Sequence, residues 1–347
     1  MHLYLRRVIK IDEVEIKCDE LPILINCLGE NLSINYPIYR DFNIVTAHGQ
    51  GESFKLKLDK RKEDFQVEAD RFGSYGKEMP SYSDILECLL ASGIVRYENY
   101  DEFINRIKAL SQINKTVIFS PDSNNLYHRF PSICDELNPQ NFLVTNIVKN
   151  EIQASINEKY SVKDINEMKR CADFNSNMLD ELINKATKKS RKANYLARRE
   201  FLYLKNNNAR IDDSIIEEFK DKEENDRLII RILKSLEAKY SKLVYMLTAD
   251  NLMARLCEME GLSYFQFQIP GNITVNQCTF QGFSDFTYNL ACILGLIKIN
   301  SVIIFGEYKG KANLEGLKLK FLNDNMAKSF LKHLEVCRKL KKIGVER

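Results

Sequence analysis

Four acidic residues stand at points where short apolar runs give way to polar ones. Asp122 follows VIFSP, Asp250 follows VYMLTA, Glu151 falls in the first turn of the helix expected within FLVTNIVKNEIQASI (142 to 156), and Asp226 opens the amphipathic stretch NDRLIIRILKSLEAKYS (225 to 241). In an open α/β sheet, ligands bind outside the carboxyl ends of the strands, so these positions are expected to meet at one sheet edge. Carboxylates brought together there raise one another's pKa by repulsion. A hard divalent cation relieves that repulsion, and Mg²⁺ or Mn²⁺, with oxygen ligands and retained waters, suits such a set. All four acids are therefore expected as metal ligands. An ion held this way can bridge a phosphodiester, stabilise charge growing on the phosphoryl oxygens and lower the pKa of an attacking water. The chemistry expected is hydrolysis of a nucleic-acid backbone.

The elements that must position these acids can be read from hydrophobic period. Residues 1 to 80 alternate at period two in YLRRVIKI, DEVEIKC, SFKLKLDK and DFQVEAD, with AHGQGES as a turn, which predicts an antiparallel β-rich domain with one wet face. Residues 81 to 114 read as a helical connector: SYSDILECLLASGI is capped by Ser83 and ended by Gly93, and YDEFINRIKAL follows. At 115 the pattern changes to short continuous apolar strands, KTVIFS, KLVYML and SYFQFQIP, separated by helices, as expected of strands covered on both faces of a parallel sheet. Residues 115 to 269 thus form an α/β domain with a helical, basic insertion over about 160 to 212. DDSIIEEFKDK is expected as a short helix. Residues 270 to 347 form an α/β extension, with an apolar helix over 283 to 297, SVIIFGEYKGK and LEGLKLKFL as hairpin partners, and a basic terminal helix over 325 to 342.

The segments VIFSPDSNNL, VTNIVKNEI, NDRLIIRIL and LTADNLMARLCEMEGL resemble the four acidic motifs of PIN-domain ribonucleases. In that family the first strand ends in Asp-Thr-Asn or a close variant, matched here by Asp122, Ser123 and Asn124. Glu151 and Asp226 match the second and third acids, and Thr248 with Asp250 matches the Thr/Ser-x-Asp of the fourth motif. The resemblance covers 115 to 269 of the 347 residues. It implies a three-layer α/β fold around a central parallel sheet and a catalytic set of Asp122, Glu151, Asp226, Asp250, Asn124 and Thr248. It also implies Mg²⁺- or Mn²⁺-dependent cleavage of single-stranded or structured RNA that leaves a 5′-phosphate and a 3′-hydroxyl. DNA remains an alternative on chemical grounds, because the mechanism needs no ribose 2′-hydroxyl. The 75 residues from Glu151 to Asp226 exceed the usual separation, which leaves Asp212 and Asp213 as alternatives for the third acid. A catalytically inactive RNA-binding or scaffold protein of the same fold is the competing reading.

With 51 Lys and Arg against 48 Asp and Glu, the chain is no polycation, so any nucleic-acid contact must come from a local patch. The run from Lys185 to Arg210 holds nine basic residues and one acid, Glu200. Lys188, Lys189, Arg191, Lys192, Arg198 and Arg199 are expected to contact phosphates, with Tyr195 and Tyr203 available to stack on bases or to pack in the core. The terminal FLKHLEVCRKLKKIGVER and the loop EYKGKAN (307 to 313) are lesser basic candidates. Asp285 is expected to cap a helix, and His128 to lie on the surface. Nine scattered cysteines without metal-finger spacing fit a reducing compartment. No apolar stretch reaches bilayer-spanning length, so a cytoplasmic location is expected, with homodimerisation as a further expectation.

Overall fold

A computed structural model describes residues 13–113, 115–155, 158–183, 186–212, 222–306 and 315–345. The expected strand YLRRVIKI and loop EYKGKAN lie outside the described residues, as does nearly all of the expected helix DDSIIEEFKDK.

The first part of the chain forms β1 (Glu13–Lys17), α1 (Leu21–Leu28), β2 (Asn31–Asn35), β3 (Asn43–Gln50) and β4 (Ser53–Leu58). DFQVEAD, expected as a strand, is instead the body of helix α2 (Lys62–Asp70). On a strand Phe65 and Val67 would share a face, yet Phe65 is 1% exposed and Val67 63%. The period is helical because Asp64 accepts the backbone N–H of Arg61 at 2.7 Å, closing the first turn. Helices α3 (Tyr82–Leu90) and α4 (Tyr100–Leu110) follow as expected. The cap of α3 is Ser81 rather than Ser83, with Asp84 completing the capping box.

The middle of the chain carries β5 (Val117–Pro121), α5 (Ser123–Tyr127), α6 (Phe130–Ile133), β6 (Leu143–Val144) and α7 (Asn146–Ser155). Then come α8 (Val162–Cys171), α9 (Ala193–Asn206), β7 (Arg210–Ile211), α10 (Lys222–Tyr240), β8 (Leu243–Thr248), α11 (Asn251–Glu260) and β9 (Tyr264–Gln266). Strands β5, β8 and β9 form a parallel sheet in that order. Their register sets Pro121 level with Leu247, and Thr248 level with Gln266. A second parallel pair, β6 with β7, touches this sheet through Phe142 beside Phe119. Gly261 ends α11 at φ 69°, a left-handed turn that glycine adopts without steric cost.

The last part holds β10 (Gln277–Thr279), α12 (Phe280–Leu294), β11 (Leu296–Ile299), β12 (Val302–Phe305), β13 (Gly316–Phe321) and α13 (Asp324–Lys342). β12 and β13 are antiparallel neighbours, as the hairpin reading expected. The expectation of two separate flanking units needs correction. Both ends of the chain build one eight-stranded antiparallel sheet in the order β1-β13-β12-β11-β2-β3-β4-β10. Apolar side chains fix that assembly: Val14 pairs with Leu319, Ile16 with Leu317, and Ile34 with Ile299.

Helix α12 packs with α1 and α3 in the core of this sheet, contributing Phe283, Phe286 and Leu290. α3 divides its stripe between two cores, with Ile85 and Leu89 in this one and Leu86 and Leu90 in that of the parallel sheet. The basic insertion is split in the same way: Ile165, Met168 and Leu179 join the antiparallel-sheet core, while Phe201 and Leu204 join the other. The molecule is therefore a mixed α/β protein with two cores joined by packed helices. No described helix is long and apolar enough to cross a membrane.

The parallel-sheet core centres on an aromatic cluster. Phe267 stacks on Tyr97 with ring centroids 4.4 Å apart and lies 4.6 Å from Phe130 and 4.9 Å from Phe103. Truncating it to Phe267→Ala removes a ring that meets four others, Phe265 at 5.0 Å being the fourth, and leaves a cavity. The expected loss of stability is about 3–5 kcal/mol, read from the midpoint and slope of urea unfolding.

Candidate active site

Asp122 ends β5 and caps α5, its Oδ1 accepting the N–H of Asn125 at 2.8 Å. Its own N–H donates to the carbonyl of Leu247 at 3.0 Å, continuing the pairing of β5 with β8 by one step. This alignment brings Thr248 opposite, where its hydroxyl donates to Asp122 Oδ2. The same Thr248 oxygen accepts the N–H of Asp250 at 2.9 Å. Asp250 in turn caps α11 by accepting the N–H of Leu252 at 2.7 Å. One buried hydroxyl thus links the Asp122 carboxylate to the backbone N–H of Asp250 at the carboxyl edge of the parallel sheet.

Asp122 is 5% exposed. Burial pushes its carboxyl up to about 6, against the opposing hydrogen bonds from Thr248, Asn125 and the N–H of Ala249, and repulsion from Asp250 adds to the rise. No described basic residue forms an ion pair with Asp122, so the buried carboxylate is held by hydrogen bonds alone.

The other two acids lie on helices, each within electrostatic range of a group that also feels Asp122. Asp226 is buried on α10. The Cys257 thiol is pushed up to about 12, first by burial and then by the charges of Asp122 and Asp226, so both acids lie within electrostatic reach of one sulfur. Glu151 sits in the second turn of α7 rather than the first. The Tyr127 hydroxyl is raised by burial, then by Glu151, with a smaller contribution from Asp122. Among the described residues, no three His, Cys, Asp or Glu side chains form a group arranged to hold a metal ion. Asp212 lies just past β7, its N–H donating to Val144 at 3.0 Å, and Asp213 lies outside the described residues.

Several expectations change. Asn124 makes no side-chain hydrogen bond to Asp122, and the neighbouring Asn125 supplies the contact through its backbone. Asn125 is fully buried and its amide donates to the Tyr97 hydroxyl at 3.2 Å. That hydroxyl also bonds His128 Nδ1 at 2.8 Å. His128, expected on the surface, is buried, and burial lowers its pKa to about 4. A lone His six residues past a strand-end acid gives no periodic sign of this, because its partner Tyr97 comes from a distant stretch.

The basic run is not an open phosphate-binding arm. Lys192 is 1% exposed, with its ammonium beside Gly295. Lys189 is buried, pairing with Asp84 at 2.8 Å. Arg191 pairs with Glu158 at 2.9 Å, Lys188 approaches Asp164 at 3.7 Å, and Arg199 lies over the Tyr288 ring and near Asp285. Arg198 is partly exposed and, with Lys149 and Lys205, lines a groove between α7 and α9. Tyr195 is buried, which takes it out of base stacking.

Glu200, the lone acid in that run, is fully buried. It accepts both the N–H and the hydroxyl of Ser132 and faces Arg129 at 3.7 Å. Burial pushes it up to about 7, opposed chiefly by Arg129. Asp285 serves the same network through Arg129 at 3.3 Å, and Thr279 takes the capping role expected of Asp285. In the terminal helix, Arg338 and Lys341 pair with Glu20 and Asp19.

His128 gives a pH test. Its folded pKa lies below its ordinary 6.5, so the folded state resists protonation that the unfolded chain accepts. The stability it contributes is complete above pH 6.5 and is lost as pH falls towards 4. Relative to His128→Gln, the wild type should lose on the order of 3 kcal/mol across that window, measured by urea unfolding at stepped pH.

No known family model matches the chain, and no curated protein is significantly similar to it.

Proposed function

We propose that this chain is a metal-dependent endoribonuclease of PIN-like, three-layer architecture, cutting RNA at the edge of the parallel sheet. The observation that carries the reading is the Thr248 hydroxyl, bonded both to the Asp122 carboxylate and to the backbone N–H of Asp250, at the strand ends where α/β folds bind ligands. The parallel order β5-β8-β9, with α5 and α11 springing from the acid-bearing ends, supports the architecture.

The donor set suits a hydrated Mg²⁺ or Mn²⁺ better than a protein cage. Magnesium is commonly held through one or two carboxylates and keeps several waters, so Asp122 and Asp250 are the residues that would hold it. The buried Asp122 carboxylate has no cationic partner among the described residues, and buried charges are ordinarily paired or coordinate metals. When bound, the ion would supply charge for the phosphoryl oxygens and a more acidic water. Thr248 fixes the rotation of the Asp122 carboxylate by donating to one oxygen, and Asn125 fixes the other through its N–H. Asp226 and Glu151 add negative potential around the site, which favours a cation and orients waters. Arg198 and Lys205, which line one groove beside α9, would meet the phosphates of a strand, of RNA or of DNA.

One observation favours a second reading, a catalytically inactive RNA-binding or scaffold protein. Asp122 accepts three hydrogen bonds, from Asn125, Thr248 and Ala249, as a purely structural cap would.

A nuclease assay on single-stranded, structured and duplex substrates separates the two. Cleavage is expected with Mg²⁺ or Mn²⁺ and not with EDTA. Asp122→Asn or Asp250→Asn should lower the rate about 10²–10³-fold, and Thr248→Val about 10–100-fold. Because the metal-free Asp122 carboxyl is held up near 6, protons compete there with the ion, so activity at sub-saturating Mg²⁺ should fall as pH drops through about 6. Cleavage that persists in EDTA and in Asp122→Asn would remove the proposal.

A further inference from the structure

A cleft of about 960 Å³ opens between α2 and the start of α3, at the edge of the antiparallel sheet. None of Asp122, Glu151, Asp226 or Asp250 lines it. Its size lies within the roughly 300–1,000 Å³ of small-molecule sites. The acidic chemistry described above makes no use of it.

Its lining has two parts. The rim carries Lys60, Arg61, Lys62 and Lys77, and none of these four forms an ion pair with a described residue; Lys60 rests over the Phe42 ring at 5.0 Å. Only Glu63 and Asp70 oppose them on the lining, and Asp70 is occupied by the Gln66 amide at 2.6 Å. Lys189 also reaches the cleft, but Asp84 neutralises it. The floor is apolar, made by Phe65, Met79, Leu86 and Ile273. Tyr82 stands beside them, its hydroxyl accepting the N–H of Ile273 at 3.1 Å, which ties the segment after β9 to the cleft wall.

The wall opposite α2 is held close by a glycine. A Cβ on Gly76 would come within 2.8 Å of the carbonyl oxygen of Ala69. The turn over 73–78 can therefore lie against α2 only with glycine there, and this sets the width of the opening. An apolar floor with an aromatic edge fits a flat ring system, and unpaired cations at the rim fit a chain of phosphates.

We propose that this cleft binds a nucleoside polyphosphate, with the base over Met79 and Ile273 beside Tyr82 and the phosphates among Arg61, Lys62 and Lys77. Its binding is separate from the acidic site at the end of β5.

Isothermal titration of the full chain with ATP and with GTP, in EDTA, tests this. At least one should bind saturably with Kd below about 1 mM. Reversing the rim in Arg61→Glu/Lys62→Glu/Lys77→Glu should weaken that binding by about tenfold or more. These side chains are exposed, so the urea midpoint should be unchanged. Gln66→Trp obstructs the cleft from α2 without altering charge and should weaken binding as well. Asp122→Asn should bind as the wild type does, whether or not the chain proves to be a nuclease. The proposal is overturned if neither nucleotide binds, if both cleft variants bind undiminished, or if a single-stranded oligoribonucleotide binds through the same residues more tightly than either nucleotide.

Discussion

The pairing of β5 with β8 is the constraint on which the candidate site rests. Asp122 and Thr248 are 126 residues apart in sequence, and only the parallel register that sets Pro121 level with Leu247 brings them together. A slip of one residue would turn Thr248 to the opposite face of its strand. The register is held by the apolar side chains along both strands, among them Ile118, Phe119, Val244 and Met246, which are buried in the same core. Packing on the sheet faces thus fixes the position of polar groups at the sheet end.

Burial at that end sets the electrostatics. Asp122, His128 and Glu200 are all withdrawn from water, and in each case the cost of burying charge moves the pKa towards the neutral form. The carboxylates move up and the imidazole moves down. Hydrogen bonds from Thr248, Asn125 and Ser132 offset part of the shift for the acids, and Arg129 offsets more for Glu200. A polar network of this kind is specified by hydrogen-bond geometry, because each member left unsatisfied in a low-dielectric interior is costly.

The parts legible in the sequence were those with a local signature. Continuous apolar runs ending in acids marked β5 and β8, and the Gly after NLMARLCEME marked the end of α11. DFQVEAD was ambiguous because Phe65, Val67 and Ala69 alternate as on a strand while Phe65 and Ala69 alone stand four apart as on a helix face, and the Asp64 cap tips it to helix. The basic run from 185 to 210 misled for another reason. Charge in the sequence does not reveal whether an acid from elsewhere will meet it, and Asp84 and Glu158 meet Lys189 and Arg191 through tertiary contacts. Asn125, Tyr97 and His128 were hidden likewise, since each matters only through partners supplied by the fold.

The antiparallel sheet joins strands from both ends of the chain, with β1 paired to β13 and β2 to β11. During synthesis, β1 must therefore wait without its neighbour until residue 321 has left the ribosome. Sheets assembled from such remote segments close late and leave unpaired edges exposed in the interval. The parallel sheet is complete once β9 has emerged, so the half bearing the acids can fold first and offer α3 as a surface on which the later half assembles. Until α12 arrives, β2, β3 and β4 lack Phe283, Phe286 and Leu290, the share of their common core that this late helix supplies.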